Sequence, residues 1–189
     1  MSLQQSVANP FHASPEELEA GLSAIREAPK GEGVLELIVA RPAEGERQVL
    51  EEGQLDLESG LVGDRWLGSG RSGGRLANGD AQVTVMSSRA AQLVAGDRGR
   101  WPLAGDQLYV DIDLSDDNLP PGTRLAVGDA VLEVTAEPHT GCKKFTERFG
   151  LDAMKFVNAP EGRSLNLRGI NTRVVEPGTI RVGDTVSKS

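Results

Sequence analysis

The residues best suited to chemistry lie in one stretch: Pro138, His139, Thr140, Gly141, Cys142, Lys143, Lys144 and Phe145. It holds the only cysteine of the chain, one of its two histidines and two adjacent lysines. It follows a run from Ala130 to Thr135 that reads as a β-strand. A free cysteine is ordinarily a small buried hydrophobe, but these neighbours are not core-strand residues. The pattern from Lys143 to Phe149 opens a helix just after Cys142. A helix N-terminus and two ammonium groups favour the thiolate, which is both a nucleophile and a soft metal ligand.

Other uses of this stretch fit less well. One cysteine and two histidines, with His12 far away in the chain, cannot build a structural zinc site. A cysteine hydrolase with His139 as its base lacks an identifiable residue to orient that base.

A second feature runs from Gly63 to Arg75. Six glycines between Gly60 and Gly74 bare backbone N–H groups, and Arg65, Arg71 and Arg75 add bidentate donors. That combination suits phosphate, although no Gly-Lys-Ser/Thr follows to make a Walker loop. The plainer alternative is a flexible loop made soluble by arginine. Ser115, Asp116, Asp117 and Asn118 read as a turn, since they lack the ligand pattern of a calcium loop.

The elements that must position these groups are mostly short strands. Residues 1–13 read as a loose arm. Ser14 caps a helix, with Pro15 in the first turn and Glu17 closing a capping box; Leu18, Leu22 and Ile25 share its apolar face, and Pro29 and Gly31 end it. Strands follow at Gly33–Ala40, Gln48–Leu57, Ala81–Met86, Gln107–Ile112, Arg124–Val127 and Ala130–Thr135. Ser87 and Ser88 start a short helix containing Ala90, Ala91, Leu93 and Val94. Val-Gly-Asp recurs at 62–64, 127–129 and 182–184, and Gly-Asp between alternating strands signals tight turns. Two or three short helices, many short strands and 23 glycines predict a mostly β barrel. The expected division is an N-terminal arm and helix over 1–32 and a barrel domain over 33–189.

Composition narrows the function classes. A chain of 189 residues buries enough surface to need no staple, and one cysteine forms no internal disulfide, which suits a reducing compartment. Met1–Pro10 lacks the basic cluster and apolar core of a signal peptide. No apolar run approaches the roughly 20 residues of a membrane span. The expectation is a cytoplasmic protein with no membrane partner. A net charge of −8 argues against nucleic acid. The charge is uneven: residues 61–100 carry 6 basic against 3 acidic groups, and residues 141–189 carry 9 against 5. If these two segments meet, an acidic protein gains a basic site for a small anion.

Three pieces, in order, resemble the MOSC domain, the C-terminal domain of molybdenum cofactor sulfurases, which also occurs alone in small bacterial proteins. Gly60–Trp66 resembles the family's early Gly-Asp-basic segment. Asp106–Asp111 and Leu119–Val134 resemble its central strands and Gly-Asp hairpin. Cys142 falls where the family keeps its single cysteine. The likeness spans about residues 33–187 and departs from the pattern at Asp106 and Gln107, where many members carry an asparagine.

The resemblance implies a β-barrel that binds molybdenum cofactor, with Cys142 carrying persulfide sulfur or ligating molybdenum. Arg65 and Arg71 are then candidates for the pterin phosphate and Ser87 for a neutral contact, with His139, Lys143 and Lys144 as further cofactor-binding groups. Alternatives are a molybdenum-dependent reductase of N-hydroxylated compounds and a non-catalytic barrel that binds an anion. A sulfur donor or an electron-transfer protein would be a separate partner, and no pyridoxal-phosphate site is evident in this chain.

Overall fold

The computed structural model describes residues 11–69 and 77–189. Strand β1 (Glu32–Ala40) is the hub of the barrel. Its register slips by one residue between Leu35 and Leu37, so the alternation of faces changes there. Leu35, Ile38 and Ala40 then point into the barrel core, while Leu37 and Val39 point outward under the helices. Burial on both faces explains why this strand reads as a near-continuous apolar run.

The remaining strands are β2 (Gln48–Leu50), β3 (Glu52–Asp56), β4 (Gly60–Leu61), β5 (Val83–Ser87), β6 (Leu108–Asp111), β7 (Arg124–Val127), β8 (Ala130–Val134), β9 (Ile170–Glu176), β10 (Gly178–Arg181) and β11 (Thr185–Lys188). Seven of them, in the order β1-β6-β5-β9-β8-β7-β11, close on themselves through the β11–β1 pairing, and β2 is added beside β1. The neighbours are antiparallel except β5 and β6. Parallel strands need a crossover, and helix α4 (Ser88–Ala95) supplies it. A second sheet, β10-β3-β4, lies beside the barrel. The mostly β barrel is as expected.

The helical content exceeds the two or three helices expected. Seven short α segments are described: α1 (Pro15–Ala20), α2 (Leu22–Arg26), α3 (Trp66–Ser69), α4 (Ser88–Ala95), α5 (Lys143–Phe149), α6 (Leu151–Asn158) and α7 (Pro160–Ser164). Segments of four to eight residues are too short to show a helical period in sequence. The N-terminal helix carries the expected capping box of Ser14 and Glu17 but splits at Gly21, where a Cβ would meet the side chain of Leu93. Leu18, Leu22 and Ile25 join α4, α5 and α6 in an apolar cluster on the outer face of the barrel.

The three Val-Gly-Asp segments take different roles. The segment at 127–129 makes the tight hairpin between β7 and β8, with Gly128 at φ +53°. The segment at 182–184 is a corner, because β10 pairs with β3 while β11 pairs with β1 and β7. The segment at 62–64 delivers a buried carboxylate to the site described below.

Helix α5 hangs on two aromatic rings. Phe145 and Phe149 are buried and pack with centroids 4.9 Å apart, and the Arg100 guanidinium lies 5.7 Å from the Phe149 centroid. Phe149→Ala is expected to lower stability by about 3–5 kcal/mol in urea unfolding. A loss below about 1 kcal/mol would mean that α5 is not held by this contact.

Candidate functional site

Strand β1 ends on a charge. Arg41 follows Ala40 and is gripped by the carboxylate of Asp64, whose side chain has no exposure. The Arg41 Nε and Nη2 donate to the two Asp64 oxygens at 2.9 and 2.8 Å, and the Arg41 backbone N–H donates to Oδ1 at 2.8 Å. Nη1 donates to the Gly105 carbonyl at 3.0 Å. Burial works against the charge on Arg41, and the Asp64 carboxylate more than offsets it, so its pKa is raised. Such a fork–carboxylate pair fixes a guanidinium in one orientation.

Arg41 forms part of the wall of a cavity of about 370 Å³, with Arg65, Trp66, Thr84, His139, Thr140 and Asn171 among its lining residues. Thr84 and Asn171 are paired across β5 and β9, and both are buried. Asn171 donates from Nδ2 to the carbonyls of Glu137 and Pro138 at 3.0 and 3.2 Å, while its buried Oδ1 has no hydrogen-bond partner among the described residues. A cavity of this size suits a small organic ligand. Two guanidinium groups suit a phosphate on it, and the free Asn171 Oδ1 is an acceptor for a ring N–H.

The loop from Glu137 to Cys142 is held from below by a buried ionic cluster. Asp106 has no exposure; Arg168 Nη1 donates to its Oδ2 at 2.5 Å, and Arg168 Nη2 donates to the Ala104 carbonyl at 2.8 Å. His139 Nε2 lies 3.2 Å from Asp106 Oδ1, near enough for an ion pair but not aligned as a hydrogen bond. The Arg168 guanidinium also lies 5.2 Å from the Phe145 centroid, which ties the cluster to α5. Burial alone would raise the Asp106 pKa, but Arg168 and then His139 outweigh it and hold it at about 2.

Further along the loop, Asn158 clamps the Gly141 peptide: its Oδ1 accepts from the Gly141 N–H at 2.8 Å, and its Nδ2 donates to the Gly141 carbonyl at 3.1 Å. Cys142 comes next. It is exposed and stands at the N-cap of α5 with no side-chain cap hydrogen bond.

The residues singled out in the sequence separate clearly. Arg65 and His139 reach the cavity. Cys142 is not in its wall but follows Thr140, which is, by two residues. Ser87 lies elsewhere, buried as the N-cap of α4, where its Oγ accepts from the Ala90 N–H at 3.3 Å. Lys143 is exposed at 4.0 Å from Glu147, and Lys144 donates to Glu44 at 2.9 Å. Arg71 lies outside the described residues. The two basic segments do meet: Glu44 is held below the usual carboxylate range by Lys144 first and then by Arg65.

Asp106, where the family pattern is broken, faces the interior rather than the cavity. Sequence reasoning missed Arg41, Thr84 and Asn171. A cation directly after an apolar strand and before Pro42 was the one available signal for Arg41.

The Asp106 cluster has an acid signature. Its folded pKa lies below the unfolded value of 3.8, so the unfolded chain binds the extra proton. The resulting stability, about 2 kcal/mol, is present at neutral pH and is lost as pH falls through 3.8 toward 2. Urea midpoints of the wild type are therefore expected to fall over that range. Asp106→Asn is expected to remove that part of the acid dependence and to cost about 3–5 kcal/mol at neutral pH, because Arg168 stays buried without its counter-charge. An unchanged acid limb in Asp106→Asn would place the titrating group elsewhere.

A family profile described as MOSC domain matches residues 75–187, more than half of the chain. No curated protein matches it. Among solved structures it is similar to the YUAD protein from Bacillus subtilis, with a TM-score of 0.61 and 17% identity over 82% of this chain and 94% of that one. It is also similar to YiiM from Escherichia coli, with a TM-score of 0.54 and 17% identity over 82% of this chain and 69% of that one. YiiM from Geobacillus stearothermophilus gives a TM-score of 0.50 and 15% identity over 86% of this chain and 74% of that one. At these identities the structural likeness shows a shared fold alone. Together with the profile match, the closed barrel and its appended helices identify the chain as a member of the MOSC domain family.

Proposed function

We propose that the protein binds molybdenum cofactor in the cavity between Arg41 and Arg65 and that Cys142 provides sulfur there, as a ligand to the metal or as a carrier of persulfide. The family is associated with binding this cofactor. The observation that carries the reading is the meeting of two guanidinium groups in one wall with the loop that ends at the exposed thiol. The bound cofactor would supply a redox-active metal centre.

The chain's own residues have separable tasks. Arg41, oriented by Asp64, and Arg65 take the phosphate. Asn171 Oδ1 accepts from a ring N–H. Asn158 and Asp106 set the course of the loop, so that Cys142 is presented at the rim and not in the core. As a sulfur carrier, the Cys142 thiolate attacks the outer sulfur of a donor persulfide. A new S–S bond forms on Cys142, the donor's S–S bond breaks, and the donor leaves as a thiolate with the proton retained on the transferred sulfur. The donor is a separate protein. Among the described residues no helix is long and apolar enough to cross a membrane.

The test is pterin and molybdenum content after the pure protein is incubated with molybdenum cofactor and desalted. Arg65→Ala, at an exposed position, is expected to weaken retention by roughly tenfold or more. Retention equal to wild type would contradict the assignment of the cavity. Cys142→Ser is expected to keep the pterin site while abolishing persulfide loading, read by mass as loss of the one-sulfur adduct.

A further inference from the structure

Three cavities meet at His139. The ring stands in the wall of the large one. A second, of about 140 Å³, runs past Asp116, Glu137 and Asn166, and a third, of about 120 Å³, runs past Val157, Arg163 and Arg168. The His139 side chain is only 14% exposed, and its Nε2 is sealed from solvent beside Asp106 Oδ1. Among the described residues no protein group bonds Nδ1, the ring nitrogen on the side away from Asp106.

A buried, ionised carboxylate can only accept. The ring nitrogen that faces Asp106 therefore carries a hydrogen, which leaves the second nitrogen as the site where a proton comes and goes. We propose that Asp106 is a positioning residue that holds His139 with Nε2–H turned inward, and that His139 Nδ1 is the proton-accepting group of the anion cavity.

Several other charges face the same ring. Arg168 lies on the interior side with Asp106, Arg41, Arg65 and Glu137 surround the large cavity, and Asp116 and Arg163 border the smaller ones. An anion seated between Arg41 and Arg65 favours a proton on Nδ1, and that proton supplies a third positive charge. Anion binding then takes up a proton and strengthens as pH falls. This inference rests on the reading of the cavity as an anion site, and the two can fail separately.

Two measurements decide it. Among the imidazole ¹⁵N signals, to which only His12 and His139 contribute, neutral His139 is expected as the Nε2–H tautomer. The Nδ1–H tautomer would overturn the proposal whether or not anions bind. Sulfate, whose charge is constant over the range, is then titrated between about pH 5.5 and about pH 8. Wild-type affinity is expected to fall by roughly tenfold across that range, and His139→Gln is expected to bind with an affinity that does not change with pH. An unchanged pH profile in His139→Gln would overturn the proposal. If the tautomer is as stated but Arg65→Ala leaves sulfate affinity untouched, the reading of the cavity is what fails, and the link between anion and proton falls with it.

Discussion

A single carboxylate with no access to water organises this protein's working end. Asp106 must be neutralised where it sits, because an unpaired charge in the interior costs several kcal/mol. It meets Arg168 from the segment before β9 and His139 from the loop after β8. Each partner carries something else with it. Arg168 lies over Phe145 and so ties the cluster to α5, and His139 brings the loop that ends at Cys142 against the cavity. One buried charge thus determines where a loop and a helix must lie.

A second buried carboxylate repeats the device on the opposite wall. Asp64 is fully covered and fixes Arg41 through three hydrogen bonds. Both anionic anchors are turned away from the cavity, while the cations they orient border it or the loop that shapes it. That arrangement leaves Arg41 and Arg65 on the wall of the cavity, beside Glu137, in a chain of net charge −8.

The parts of this organisation legible in the sequence were the local ones. The capping box at Ser14, the hairpin at Gly128 and the helix opening after Cys142 all depend on neighbours within a few residues, and they stand where the residue types put them. Cys142, Arg65 and His139 could be singled out by type and company. Ser87 was read both as a helix start and as a cofactor contact, because a serine at the end of a strand suits either; its Oγ caps α4. Lys144 proved to be paired with Glu44, a partner one hundred residues away in the chain. Arg41, Asn171 and the Asp106 cluster depend on contacts between distant segments, to which no local pattern points. Asp106 in particular stood out only as a departure from the family pattern, and nothing near it in the chain pointed to its pairing with Arg168 or its place beside His139.

The most direct test of the account is the position of molybdenum, located by its anomalous scattering in crystals of the cofactor-loaded protein. The account predicts the metal at the rim of the cavity lined by Arg41, Arg65 and Asn171, on the side of Cys142. Metal at the groove lined by Arg89, Arg98 and Trp101, with the Arg41 cavity empty, would contradict it.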